Sequence, residues 1–220
     1  MSVSGLFLVL FLLFHMSMNL AAVFSTEAYN AICEFLGANW YALAGTLILA
    51  AGVVVHLVYA TVLTLHNRSP RGSQRYAMTA EPEGVTWASR NMYVLGIIIV
   101  LGLLLHLYNF WYNMQFAEII GNHELGPFPP ADGAAYIAAL FSSPVYCIIY
   151  LVWFAAIWFH LTHGFWSAFH TIGWDNQTWL PRLKRIANVV ATIVFLCFAL
   201  VVIVFYLRSL GVCGGSCAGF

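Results

Sequence analysis

Charged side chains are scarce in this chain of 220 residues. Asp, Glu, Lys and Arg together make up only 7% of it, against about 25% in a typical soluble domain. Eight acidic residues balance eight basic ones, so no excess charge predicts binding to nucleic acid or another polyanion. Hydrophobic residues instead make up 62% of the chain. This composition excludes an ordinary soluble domain and predicts an integral membrane protein.

Five apolar stretches are long enough to cross a bilayer, which takes about 20 residues of helix. The first has the position of a signal peptide, but it lacks a basic leading segment and a small-residue cleavage site, so we expect it to be retained. The shorter stretch 134–141 predicts an interfacial helix. We therefore expect one all-α domain over residues 1–220, an integral membrane bundle with spans near 3–24, 39–65, 92–117, 143–169 and 184–207.

The few charges are distributed unevenly between the two sides of this predicted bundle. Most basic residues lie between spans two and three or between spans four and five: Arg68, Arg71, Arg75, Arg90, Arg182, Lys184 and Arg185. The loops on the other side carry acidic residues and no Lys or Arg: Glu27, Glu34, Glu118, Glu124 and Asp132. Because basic loops stay in the cytoplasm, the distribution predicts a cytoplasmic N-terminus and a periplasmic C-terminus.

Four histidines lie inside the apolar stretches, one in each of the first four spans: His15, His56, His106 and His160. An ionisable residue within a span indicates a functional site, and neutral imidazole binds a buried metal without a counter-charge. The flanking charged residues give each histidine a depth, since a helix rises about 1.5 Å per residue. His56 and His160 lie nearer the cytoplasmic side, His106 and marginally His15 nearer the outer side. We therefore expect an inner pair, His56 with His160, and an outer pair, His15 with His106.

Glycines accompany three of these histidines at a spacing of four residues. Gly52 precedes His56, Gly102 precedes His106, and Gly164 follows His160. Residues four apart lie on one helix face, so a missing side chain next to the imidazole favours a large flat ligand. The alternative is that these glycines simply allow close helix packing.

The histidines also allow other interpretations. A single intramembrane histidine often bonds to another helix or takes part in a proton path. His163, one turn from His160, is a rival ligand or a contact for a haem propionate. Zinc and copper sites usually recruit further protein ligands, whereas two imidazoles suit an axially ligated haem iron. The sequence has no C-x-x-C-H motif, so such haems would be non-covalent, b-type groups.

The stretch from His160 through Gly164 to Phe169, HLTHGFWSAF, resembles the haem-ligating helix of the cytochrome b anchors of succinate dehydrogenase and fumarate reductase. Five spans with one histidine in each of the first four resemble the dihaem, single-subunit branch of that family. This resemblance implies that His160, rather than His163, is the axial ligand. Trp166 stands where other branches carry arginine, and Trp158 where some dihaem members carry a glutamate linked to proton return.

The resemblance implies a function as well. The chain would bind two haems b in a bacterial cytoplasmic membrane and anchor a flavoprotein subunit and an iron–sulfur subunit at the cytoplasmic face. It would transfer electrons between menaquinol or menaquinone and the iron–sulfur subunit, with the dicarboxylate chemistry on the flavoprotein. A dimer of heterotrimers is the candidate assembly. Arg68 is a candidate propionate contact, with simple topology-setting charge as the alternative.

Quinol oxidation needs a nearby proton acceptor. Among the outer-side acids, Glu34 or else Glu27 is the candidate for this role; taken alone, either residue is more often a solvated loop acid. Cys213 and Cys217 in the outer tail are candidates for a disulfide.

Alternative functions remain open at this point. The chain could serve as the cytochrome b subunit of a hydrogenase or formate dehydrogenase, as a histidine-lined transporter without haem, or as a purely structural anchor. A reduced-minus-oxidised spectrum separates the haem proteins from the other two.

Overall fold

The computed structural model describes residues 1–37, 39–68, 86–174 and 176–212. All regular secondary structure in these ranges is helical, as the sequence predicts. Five helices are long and apolar enough to cross a membrane, which gives the chain the architecture of a multi-pass membrane protein. They are α1 (Ser2–Phe24), α3 (Trp40–Arg68), the composite span Met92–Ile120, α8 (Pro144–Thr171) and α9 (Trp179–Ser209).

The composite span changes its helical geometry along its length. It begins as α5 (Met92–His106), continues as a π-helical segment (Leu107–Phe116) and ends as α6 (Ala117–Ile120). Gly121 then takes the left-handed conformation, with φ of 66°, at the position where glycine commonly ends a helix. The π-helical segment was not predicted from the sequence.

Three shorter helices lie outside the spans. They are α2 (Thr26–Gly37), α4 (Trp87–Arg90) and α7 (Gly133–Phe141). α7 corresponds to the short helix predicted at 134–141. α2 corrects a prediction, because the sequence analysis treated this segment as a loop, whereas it is helical and turns Tyr29 toward the core.

α8 and α9 form the centre of the bundle and pack most extensively against each other. Small residues on α9 let the helices approach closely, and Ala187 and Ala191 are fully buried. α1 and α5 pack beside this central pair. α3 contacts mainly α1 and contains no buried residue among those described, so it lies at the periphery of the bundle.

α2 and α7 pack together at one end of the bundle, and we call this unit the α2–α7 cap. The side-chain amide of Asn30 donates to Asp132 Oδ1 at 2.8 Å, and its oxygen accepts from the Ala134 amide at 2.9 Å. Asp132 also caps α7 by accepting from Ala135 N. Gly133 leaves room for Cys33 to contact its backbone. Hydrogen bonds of Asn30 and the close contact between Cys33 and Gly133 therefore hold α2 against the start of α7.

Arg208 joins the ends of the first and last spans on the same side. Its guanidinium donates to Val23 O at 2.8 Å and to Ala22 O at 3.4 Å. These carbonyls belong to the last turn of α1, where backbone acceptors have no partner within the helix. A cation at a helix C-terminus is also favoured by the helix dipole. We call this contact the Arg208 clamp.

Candidate metal centres

The structure brings the four intramembrane histidines together as two pairs. The ring centroids of His15 and His106 lie 5.7 Å apart, with an interplanar angle of 86°. Those of His56 and His160 lie 6.3 Å apart, at 67°. These are the same pairs that the charge-based depths predict, and each joins two different helices.

Aromatic rings surround the His15–His106 pair. Phe11 stacks on His15 from one helical turn away, with a centroid separation of 5.4 Å. α9 adds a ring near His15, and α8 and the π-helical segment add rings near His106. Their centroids lie between 5.2 and 6.3 Å from the imidazoles, and the residues are Phe198, Phe110, Tyr150 and Trp153. Aromatic side chains from four segments thus pack against this half-buried pair.

A polar chain connects His15 with the α2–α7 cap. The side-chain amide of Asn19 donates to the backbone oxygen of His15 at 2.8 Å and lies 3.4 Å from His15 Nε2. The Tyr29 hydroxyl donates to Asn19 Oδ1 at 3.2 Å. Burial raises the pKa of Tyr29, with its neighbour Cys33 adding to the effect, so this hydroxyl remains a donor at physiological pH.

His106 is the last residue of α5, directly before the π-helical segment. π-helical turns are rare and occur frequently at functional sites. Within the described part of the chain, His106 Nδ1 is buried and has no hydrogen-bond partner. A buried polar atom without a partner is costly, so a ligand at this ring would compensate for a defect in the fold.

The His56–His160 pair lies at the edge of the bundle, because His56 is on the peripheral helix α3. The first turn of α1 adjoins it: Ser4 Oγ lies 3.4 Å from His56 Nδ1, and a Cβ on Gly5 would lie 3.5 Å from His56 Cε1. His160 Nδ1, like His106 Nδ1, is buried without a partner among the described residues.

His163 has a different environment from His160. Its ring meets Trp166 edge-on at a centroid separation of 5.0 Å, and Lys184 Nζ lies 4.7 Å from the same Trp166 ring. The ring that faces His56 is that of His160. His163 Nδ1 is also buried and without a partner in the described ranges.

The three glycines next to the histidines accommodate neighbouring side chains. A Cβ on Gly52 would lie 2.7 Å from Phe7, and one on Gly102 would overlap Trp153. Gly164 has more room, with Met92 Cε at 3.6 Å and His160 Cδ2 at 3.9 Å from the added Cβ. At Gly52 and Gly102 the missing side chains thus serve close packing, and a flat ligand on these faces requires Phe7 and Trp153 to rotate away.

The pair geometry fits a shared metal. Metal–imidazole bonds of about 2.0–2.1 Å on opposite sides of one ion put the ring centroids about 6.4 Å apart. The His56–His160 separation matches this figure, and the His15–His106 separation is slightly shorter. Within the described residues, no group of three or more His, Cys, Asp or Glu side chains converges. The donor set therefore fits a metal whose remaining ligands come from a cofactor, as in an axially ligated haem.

The acidic candidates lie elsewhere. Glu27 and Glu34 are on α2, and with Asn30 and Asp132 they line an open cavity of about 350 Å³, which we call the acidic cavity. Hydrogen bonds from its own backbone amide and from Ser25 lower the pKa of Glu27. This carboxyl is therefore ionised at neutral pH.

Other predicted contacts lie outside the described residues. Arg68 ends α3, but its side chain is among those the structure does not describe, and Cys213 and Cys217 lie in the undescribed segment 213–220. The polar residues of the π-helical segment were not predicted from the sequence to be functional. Asn109 donates to the Tyr150 hydroxyl at 3.0 Å, and Gln115 Oε1 accepts from Thr46 at 2.8 Å and from Trp111 at 2.9 Å. Three side-chain amides within seven residues of a predicted span were the available signal.

Comparison with protein-family models, with curated proteins and with solved structures finds no match to this chain.

Proposed function

We propose that this chain is a membrane cytochrome b that binds two b-type haems. His15 and His106 would hold one, and His56 and His160 the other. The observation that carries this proposal is the meeting of two imidazole pairs, each from two different helices, at separations of 5.7 and 6.3 Å inside apolar surroundings. When bound, such haems carry single electrons across the bilayer.

The chain's own residues would tune the two sites differently. The aromatic rings around His15 and His106 exclude water, and a low-dielectric environment strengthens electrostatic interactions with whatever is bound there. At the other pair, Ser4 lies within reach of His56, His163 lies one turn from His160 on α8, and Lys184 reaches from α9 over the Trp166 ring. These groups are candidates for binding haem carboxylates.

We further propose a narrower role from the family resemblance. The chain would be the dihaem anchor of a succinate dehydrogenase or fumarate reductase in a bacterial cytoplasmic membrane, with its N-terminus in the cytoplasm. It would bind a flavoprotein and an iron–sulfur subunit on the cytoplasmic side and exchange electrons with menaquinone. The concentration of arginines in the loops on that side supports the orientation.

A reduced-minus-oxidised visible spectrum with haem quantitation tests the proposal. The purified chain should show b-type bands and two haems per polypeptide. A blank spectrum would overturn it and would favour a histidine-lined transporter or a structural anchor. Co-purifying subunits test the narrower role: a flavoprotein supports it, and a hydrogenase or formate dehydrogenase subunit contradicts it.

A further inference from the structure

A cleft separate from the acidic cavity lies close to the His15–His106 pair. It encloses about 260 Å³ between the π-helical segment, α7 and the start of α8, and we call it the π-segment cleft. Apolar residues form part of its walls, including Phe128, Ala139 and Leu140. A concave, mostly apolar site with a few polar groups is the usual form of a small-molecule site.

Two hydroxyl groups in this cleft are available for a ligand. Ser143 is the N-cap of α8, a position at which serine usually accepts a hydrogen bond from the first turn. Here its side chain makes no such bond. Within the described residues, neither the Ser143 hydroxyl nor the Tyr146 hydroxyl bonds to another protein atom. Both residues line the cleft, so two donors are free there.

The π-helical segment adds acceptors to the same walls. Asn109 and Asn113 line the cleft. Their amide nitrogens are used, since Asn109 donates to the Tyr150 hydroxyl and Asn113 donates to the backbone oxygens of Tyr108 and Asn109. A carboxamide oxygen can accept two hydrogen bonds. The cleft therefore combines hydroxyl donors with carboxamide acceptors.

The cleft is connected to the His15–His106 pair through two contacts. Asn109 lies three residues after His106 and bonds to Tyr150 at 3.0 Å. The Tyr150 ring in turn meets His106 at a centroid separation of 6.3 Å. A ligand that contacts Asn109 in the cleft would thus be linked to His106 through the Tyr150 side chain.

We propose that the π-segment cleft binds the head group of a membrane quinone or quinol. The hydroxyls of Ser143 and Tyr146 would donate to quinone carbonyl oxygens, and the carboxamide oxygens of Asn109 and Asn113 would accept from quinol hydroxyls. This inference rests on the proposed function, which it deepens by locating the substrate. It assigns the head group to this cleft rather than to the acidic cavity of Glu27 and Glu34.

Two observations favour a quinone over a phospholipid. The described residues that line the cleft include no Lys or Arg, which a phosphate group would call for. The first turns of α8 next to the cleft expose Val145 and Ile148. These apolar side chains suit an isoprenoid tail that lies along the helix.

Equilibrium dialysis of 2,3-dimethyl-1,4-naphthoquinone against the full chain in nanodiscs tests the inference. Ser143→Ala and Tyr146→Phe each remove one hydroxyl and should raise Kd about three- to tenfold. Ala139→Trp fills the cleft from an exposed position on α7 and should abolish measurable binding. Haem content should remain that of the unmodified chain in all three variants.

Matched variants serve as controls. Ser142→Ala and Tyr112→Phe remove hydroxyls outside the cleft lining, and Ala131→Trp fills the acidic cavity instead. None should change Kd. If Ala131→Trp abolishes binding and Ala139→Trp does not, the acidic cavity is the site and the inference is wrong. The inference also fails if the unmodified chain carries two haems but does not bind the probe. Absence of b-type bands would instead overturn the proposed function, while the dialysis data would still decide the cleft assignment.

Discussion

The two histidine pairs differ in how the fold encloses them. His15 and His106 are surrounded by aromatic rings from four segments and lie on the side of the bundle that carries the α2–α7 cap and the Arg208 clamp. His56 lies on α3, which has no buried residue in its described part, and its near neighbours include the first turn of α1. Similar ring separations are thus held by a rigid surround in one case and by a peripheral helix in the other.

Similar separation of the imidazole rings therefore does not imply similar mechanical support. Interiors packed at high density respond to the loss of even a few atoms, whereas a helix that faces lipid can adjust its position. We expect the His15–His106 site to tolerate few changes in its surroundings and the His56–His160 site to tolerate many.

The largest effect is expected from removing a histidine. His106→Ala should lower the haem content from two to one per chain, because only His15 would remain to hold the proposed group at that site. It should also lower the melting temperature more than His56→Ala does, since it opens a cavity among packed rings. Haem quantitation and thermal denaturation in detergent measure both quantities. His123→Ala is the control, because His123 lies outside the spans, with its Nδ1 3.6 Å from Glu118 Oε1. Two haems retained by His106→Ala would contradict the proposed ligand.

The next largest effect concerns glycines. Gly102→Ala places a Cβ against Trp153, whose indole donates to Ile99 O at 3.1 Å and packs on His106. Such overpacking costs about 1–3 kcal/mol of stability. Gly5→Ala, beside His56, makes only an ordinary contact at 3.5 Å, so it should not destabilise the chain, since alanine favours helix over glycine. Chemical denaturation in detergent compares the two.

Gly96→Ala provides the control on the same helix as Gly102. A Cβ there meets nothing within 4 Å, and alanine favours helix over glycine by about 1 kcal/mol. If Gly5→Ala destabilised the chain as much as Gly102→Ala, the contrast between the two sites would not hold.

A smaller effect is expected at the Arg208 clamp. Arg208→Met keeps much of the apolar length of the side chain but removes the two hydrogen bonds to α1. Because the guanidinium is partly exposed, the free energy of unfolding should fall by about 1.5 kcal/mol. Spectral changes should be confined to the His15–His106 haem. Arg182→Met, which loses only a contact with Trp179 at the other end of the chain's fifth span, is the control. An equal loss in both variants would show that the clamp contributes nothing specific.

The smallest perturbation uses Cys33 as a probe of the α2–α7 cap. Burial raises the pKa of Cys33 to about 11. Since the thiolate is the reactive form, maleimide labelling at pH 8 should run about 100-fold slower than for a free thiol. The rate should rise with pH through pH 10 without levelling, because the group stays mostly protonated below its pKa. Mass spectrometry of the labelled peptide follows the reaction, with the remaining cysteines changed to serine.

Asn30→Ala gives the comparison for this measurement. It removes the two hydrogen bonds that Asn30 makes to Asp132 and to the Ala134 amide, so labelling of Cys33 should become faster. An unchanged rate would mean that the cap does not depend on Asn30.

Hydropathy predicted the five spans because their length and apolar composition are unambiguous. The depths derived from the flanking charges predicted the pairing of the histidines. Two residues on different membrane-spanning helices can meet only if they lie at the same depth in the bilayer. The fifth span begins at Trp179 rather than near 184, because Lys184 extends its ammonium group over the Trp166 ring instead of ending the helix. A long basic side chain can extend its charged group to a polar region while its stem lies within the span. Hydropathy alone therefore places the start of such a helix too late in the sequence.

Other features depend on contacts between distant segments. α2 is a 12-residue helix of mixed polarity, and its Asn30 bonds to Asp132, 102 residues away in the sequence. The π-helical segment has the same composition that an α-helix could have, so no local pattern distinguishes it. The space beside Gly102 is filled by Trp153 from α8, which the spacing of glycine and histidine on one helix cannot reveal.

The Arg208 clamp has a consequence for the order in which the bundle assembles. α1 is synthesised before α9, yet carbonyls in the last turn of α1 accept hydrogen bonds from a side chain 185 and 186 residues later. Phe198, which packs on His15, also lies on α9. The last turn of α1 and the surroundings of His15 are therefore completed only after α9 has been synthesised.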